Sequence, residues 1–180
     1  MSALINKIRL HLKNGGVIAY PTESCYGLGC DPGNRAAVGL LLKIKKRRAS
    51  RGLILIGGSL GKLRRYMLHP PEKEILDRYW PGPFTLLLDA SRHVPEWIRG
   101  RHEKVALRLT AHREASGLCN ALSTALVSTS ANVSGTKPAK TYRDCERRFG
   151  KQVLVIPGKI GRRKNPSTII DLESGKILRP

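Results

Sequence analysis

The stretch KIKKRR, Lys43 to Arg48, packs five cations into six residues. Three other short stretches place hydroxyls and amides beside apolar runs. YPTES carries Thr22, VSTSANVSG carries Ser128, Thr129, Ser130, Asn132 and Ser134, and NPSTIIDL carries Ser167 and Thr168. Any one such loop serves turns and caps. Three of them together with a cation cluster point to a site for phosphate or carboxylate oxygens. Within KIKKRR the geometry is open. Residues two apart on a helix point about 200° apart, whereas in an extended segment they share a face. Lys45 and Arg47 hold one anion only if the helix has ended, and Lys43 and Arg47 share a face only if it continues.

Other chemistry is poorly represented. There is no Walker P-loop, no G-x-G-x-x-G and no G-x-S-x-G elbow. His11, His69, His93, His102 and His112 show no metal-ligand spacing, and acidic residues are scarce. An enzyme built from this sequence works on anions by neutralising and positioning charge.

The elements that must hold these residues alternate between strand and helix. A helix is expected from Ser2, as its cap, to about Asn14, closed by Gly15 and Gly16. Strands are expected at 17–21, 52–58, 84–90, 105–110, 125–131, 153–158, 167–172 and 176–180, and helices after Asn34, near 59–67, 71–79, 113–122 and 141–149. TESCYGLGCDPGN reads as a long loop. The late strands follow one another without helices, so a twisted open mixed α/β sheet with flanking helices is expected, in a single domain spanning 1–180.

The chain has 33 basic and 13 acidic residues, a formal charge of +20, spread over folded-looking segments in place of a tail. Such an excess favours a polyanionic partner, and RNA is the natural candidate. Cys25, Cys30, Cys119 and Cys145 form no C-x-x-C pair or zinc spacing. No signal peptide is evident, and no apolar run approaches membrane-spanning length. A cytoplasmic protein with four free thiols and no membrane association is expected. A redox role for Cys25 and Cys30, which flank a glycine-rich segment, is the lesser alternative.

VIAYPTESCYGLGCDP, KKR before GLILI, WPGPFTLLL, VALRLT, STSANVSG, PSTIIDL and ILRP stand in the order found in the YrdC family, the threonylcarbamoyl-adenylate synthases. The resemblance covers residues 3 to 180, and the C-terminal LRP matches the short bacterial TsaC-type form. It implies a deep basic cavity. It also implies condensation of L-threonine, bicarbonate or CO2, and ATP with Mg2+, to threonylcarbamoyl-adenylate and pyrophosphate. Partner proteins of a transfer complex would then modify tRNA. The family pattern K-x-R…S-x-N maps onto Lys45, Arg47, Ser130 and Asn132, and so selects the extended geometry for 45–47. It implies Lys45 and Arg47 as catalytic, Thr22, Arg108 and Ser167 as threonine contacts, and Ser130, Asn132 and Arg179 as nucleotide contacts. The family often has proline after K-x-R, where this chain has Arg48. The helix is still expected to stop before Arg47, because Gly52 and a strand follow closely. A non-catalytic RNA-binding module acting in ribosome maturation is the competing reading. A carbamoyl-phosphate chemistry, as in hydrogenase-maturation proteins, lacks the additional segments of those larger chains.

Overall fold

The computed structural model describes residues 2–180. The cap expected of the Ser2 side chain lies outside what is described. Nine strands form one sheet: β1 (Ile18–Pro21), β2 (Tyr26–Gly29), β3 (Ile54–Gly57), β4 (Phe84–Asp89), β5 (Lys104–Leu109), β6 (Leu126–Ser130), β7 (Leu154–Val155), β8 (Thr168–Asp171) and β9 (Ile177–Arg179). Their order is β7-β1-β2-β6-β3-β5-β4-β8-β9. The pairs β1–β7, β3–β5 and β4–β8 are parallel and the others antiparallel, so the sheet is mixed as expected. The helices are α1 (Ser2–Lys13), α2 (Arg35–Lys45), α3 (Leu60–Arg64), α4 (Lys73–Leu76), α5 (Glu96–Arg99), α6 (Arg113–Leu122) and α7 (Tyr142–Phe149).

Alternation along the strands divides the core into two layers. Val17, Ala19, Leu28, Leu55 and Val127 face α2 and α7, meeting Ala37, Val38, Leu41, Ile44 and Phe149. Ile18, Tyr20, Ile56 and Leu126 face α1 and α6, meeting Ile8, Leu12, Ala115 and Leu118. The second face changes character along β6. Leu126 is apolar under α6, whereas Ser128 and Ser130, on the same face, line open space. The two covering helices therefore leave part of this face bare, and the sequence makes that part polar.

One expected loop is a strand. Residues 26–29 pair antiparallel with β1 and β6. Their two glycines read as loop residues, but they serve close packing. A Cβ on Gly29 would lie 2.5 Å from Val127 O and 2.8 Å from the Tyr20 ring. The helical patterns near 59–67 and 71–79 shrink to α3 and α4. Met67 bridges to Ala90, and the prolines at 70 and 71 break the chain between the two helices. The short α5 was not expected.

The end of α2 decides the geometry of KIKKRR. Asn34 caps the start, its Oδ1 accepting from Ala37 N at 3.0 Å. At the other end Lys46 is left-handed, φ 49° and ψ 45°, and the Arg47 N–H donates back to Leu42 O at 3.0 Å. This is a Schellman closure, usually made by glycine. The helix ends before Arg47 without the family proline, but residues 45–47 are a reversal, not the extended segment expected. Lys43 and Arg47 do not share a helix face either. Lys43, Lys46 and Arg48 are exposed, while Lys45 is 2% exposed. A lysine in left-handed geometry carries a conformational cost of about 1–2 kcal/mol. Lys46→Gly should therefore raise unfolding stability by roughly 0.5–1 kcal/mol after the greater chain entropy of glycine is subtracted. Lys46→Val should lower it, and urea unfolding reads both.

Candidate active site

The bare part of the sheet floors a cavity of about 810 Å³, within the range of roughly 300–1,000 Å³ typical of ligand pockets. Thr22, Arg47, Arg108, Ser130, Ser167 and Arg179 all line it. The structure thus brings six of the eight expected residues to one surface. Lys45 and Asn132 stand behind it.

Each arginine is fixed by main-chain oxygens. Arg108, on β5, donates from Nε to Gly82 O at 3.1 Å, in the WPGP turn. Its Nη2 lies 2.5 Å from Glu23 Oε1, which also accepts from Thr110 Oγ1 at 2.7 Å. Arg179, on β9, donates to Ser167 O through Nε and Nη2 at 3.0 and 2.7 Å, and to Ser167 Oγ at 3.0 Å. Ser167 Oγ in turn shares a 2.8 Å hydrogen bond with Thr85 Oγ1. Arg47 donates from Nη2 to Gly52 O at 2.8 Å, and its buried Nε has no partner. Burial lowers the pKa of all three guanidiniums, and Arg108 and Arg47 lower that of Arg179 further. Glu23 balances Arg108. Among the described residues no carboxylate pairs with Arg47 or Arg179. The cavity is a desolvated cluster of like charges, which an entering anion would relieve.

Lys45 serves the loop after β6. Its ammonium donates to Ser130 O at 2.5 Å, Asn132 O at 2.9 Å and Asn132 Oδ1 at 3.2 Å, using all three protons. Asn132 Oδ1 also accepts from Ser130 Oγ at 2.6 Å, and its Nδ2 donates to Val133 O and Thr136 O. Ser134 closes the circuit, with N and Oγ both donating to Lys45 O at 2.9 Å. Burial and neighbouring Arg47 push the Lys45 ammonium down to about 8.

Thr22 lines the cavity, and its Oγ1 donates to Cys25 O at 2.7 Å. The four cysteines are buried and unpaired. Burial raises every thiol, those of Cys30, Cys119 and Cys145 to about 12, which is the opposite of an activated thiolate. Among the described residues no three His, Cys, Asp or Glu side chains gather to hold a metal, and no helix is long and apolar enough to cross a membrane. The cavity acids do not make a cage, since Asp171 is bonded to Lys104 at 2.8 and 3.0 Å.

Glu23 was not singled out from the sequence. Its signal was an acid among hydroxyls in a chain poor in acids. Arg51, Arg99, Arg101 and Lys104, which also line the cavity, had no signal beyond their charge.

A mixed sheet with part of one face bared as a cationic, hydroxyl-floored cavity defines an α/β protein with a site suited to anions. The family model Sua5/YciO/YrdC, described as "Telomere recombination", matches residues 11–180, and the chain belongs to that family. It is 53% identical over 180 residues to a protein of Chromobacterium violaceum named threonylcarbamoyl-AMP synthase, covering 99% of this chain and 93% of that one. A protein of the same name from Thiobacillus denitrificans is 52% identical over 174 residues, 96% of this chain and 93% of its own. Among solved structures, P. abyssi Sua5 complexed with L-threonine superposes with a TM-score of 0.89 at 34% identity. That match covers 98% of this chain and 53% of the P. abyssi chain, so this chain spans about half of that protein.

Replacing Lys45 tests the loop circuit. Lys45→Met keeps the length but removes a donor from three oxygens, of which Asn132 O has no other protein donor, and should cost about 1–3 kcal/mol in urea unfolding. Between pH 8 and the ordinary lysine value near 10.4 the unfolded chain holds a proton that folded Lys45 has lost, so this residue adds stability as pH rises. The raised thiols act in the opposite sense above pH 9. The effect is therefore read as the difference between wild type and Lys45→Met, which should grow from pH 8 to pH 10.

Proposed function

We propose that the protein is a threonylcarbamoyl-AMP synthase, joining L-threonine, bicarbonate-derived CO2 and ATP into threonylcarbamoyl-adenylate and pyrophosphate. The observation that carries this reading is the convergence of Arg47, Arg108 and Arg179 on one hydroxyl-floored cavity. The reaction must bring two anions together. The neutral amine of threonine attacks the carbon of CO2 and sheds a proton, giving a carbamate. A carbamate oxygen then attacks the α-phosphorus of ATP, and the bond to the β-phosphate oxygen breaks with departure of pyrophosphate. Fixed guanidiniums in a desolvated site offset the repulsion without reorganising.

In this reading Arg108 takes the carboxylate of threonine on the edge that Glu23 leaves free, with Thr22 and Ser167 beside it. Ser130 and Arg179 hold the nucleotide, and Asn132 shapes the loop that presents Ser130. Arg47 lies against the reacting anions. Lys45 is a positioning residue that also adds positive potential from behind. Mg2+ enters with ATP, held by phosphate oxygens, since the acids present offer it no cage. The whole chain, 1–180, acts as one domain, because strands from both of its ends join one sheet. Four free thiols suit the cytoplasm. The product passes to a tRNA-modifying transfer complex, with exposed Lys43, Lys46 and Arg48 available to RNA phosphates.

Pyrophosphate release from ATP should require both threonine and bicarbonate, and release unchanged by omitting either contradicts the assignment. Arg47→Ala should lower kcat by about 10²–10³. Arg108→Lys, which loses the planar fork, should chiefly raise the KM for threonine.

A further inference from the structure

At one end of the sheet the cavity has an exposed rim that the reaction above does not use. The parallel strands β3 and β5 both begin at this end, so Arg51 precedes one of them and Arg99 and Arg101 precede the other. β8 finishes there and β9 starts there, with Asp89 opposite Lys104, Leu87 opposite Asp171 and Ile170 opposite Ile177 in the ladders. β3, β5, β4, β8 and β9 are consecutive in the sheet, so the rim spans four strand spacings, about 19 Å. Its first half is cationic and tightly built. Gly52 and Gly100, at φ 61° and 64°, let the turn 49–51 pack on the end of α5, and a Cβ on Gly100 would stand 2.7 Å from Ser50 O. Among the described residues no carboxylate pairs with Arg51, Arg99 or Arg101. The rim's acids are Glu103 and the Asp171 and Glu173 that hold Lys104. Its second half is aliphatic. Ile169 pairs with Arg179 and Ile170 with Ile177, which leaves Leu178 as the extra residue of a bulge. Leu178 and Arg179 therefore both line the cavity, and Ile177 and Leu178 are 58% and 52% exposed.

We propose that this rim is a docking surface for an acidic protein partner, the one that consumes the product. Carboxylates of the partner meet Arg51, Arg99 and Arg101, and an apolar side chain of the partner meets Ile177 and Leu178. This rests on the synthase reading above. The product is a mixed anhydride, and water adding at its carbamoyl carbon would return the carbamate and AMP. A partner seated over the rim keeps that water out. The make-up of the rim favours protein over RNA. Arginines beside exposed aliphatics match the anatomy of a protein interface. RNA phosphates would engage the arginines and leave the aliphatics uncovered. Among the described residues no Phe, Tyr or Trp lines the cavity to stack an RNA base.

The test measures the affinity of wild type, Arg101→Glu, Ile177→Glu and Lys7→Glu for the purified tRNA-modifying transfer proteins, with tRNA alone as a second probe. Lys7 supplies the same charge reversal far away, on α1 beside the opposite edge strand β7. Arg101→Glu and Ile177→Glu should each weaken binding of the transfer proteins by about tenfold or more, Lys7→Glu should change it little, and added salt should weaken the wild type. Arg101 and Ile177 are exposed, so pyrophosphate release and the thermal midpoint should stay close to wild type in both variants. Threonylcarbamoyl transfer to tRNA, at transfer-protein concentrations below the wild-type Kd, should fall in step with affinity. Three results would overturn the proposal: no binding of the transfer proteins to the wild type, binding that Arg101→Glu and Ile177→Glu leave unchanged, or binding that Lys7→Glu weakens as much as they do. If Arg101→Glu lowers affinity for tRNA alone and not for the transfer proteins, the rim belongs to RNA and the proposal is likewise wrong. Absence of threonine-dependent pyrophosphate release from the wild type, measured without transfer proteins, would instead remove the synthase reading itself.

Discussion

A single buried ammonium ties the site together. Lys45 is the last residue of α2, and its three protons meet three oxygens of the turn that follows β6. The turn answers by capping the Lys45 carbonyl through Ser134. Two segments 85 residues apart are thus fixed against each other at the wall of the cavity. A charge this deep is tolerable only when every donor is used, since a buried ion without partners costs several kcal/mol. Once it is held, the Schellman reversal at Lys46 sends Arg47 toward the cavity and the exposed cations outward.

The cavity gathers charge that folding alone would not choose. Arg47, Arg108 and Arg179 are partly desolvated and repel one another, and only Arg108 has a carboxylate beside it. Main-chain carbonyls of Gly52, Gly82 and Ser167 hold the guanidiniums in place without neutralising them. The mutual repulsion of these guanidiniums is electrostatic strain that a bound anion would relieve. This is the pattern of a site preorganised for charge, with stability given up locally where binding needs it.

Much of this architecture could be read from the sequence because its signals are local. The span of α6 follows from its apolar face, and the strands β3 to β6 from short apolar runs between breakers. The strand β2 was hidden because Gly27 and Gly29 resemble loop residues, and their role appears only when Tyr20 and the β6 backbone are seen against them. KIKKRR was half legible. Its six residues announced an anion site, yet composition does not say that Lys45 turns inward to a loop while Arg47 turns to the cavity. That division depends on a left-handed lysine and on partners far away in sequence. Glu23 was out of reach for the same reason, because its partners Arg108 and Thr110 lie far from it in the chain.

The central claim is that the three arginines on the polar floor receive both anionic substrates in one cavity. A crystal structure with L-threonine and a non-hydrolysable ATP analogue tests it most directly. The account predicts the threonine carboxylate against Arg108, the triphosphate against Arg47 and Arg179, and the amine of threonine facing the α-phosphate. Either ligand bound outside this cavity, or both bound inside it without contact to these three guanidiniums, would contradict it.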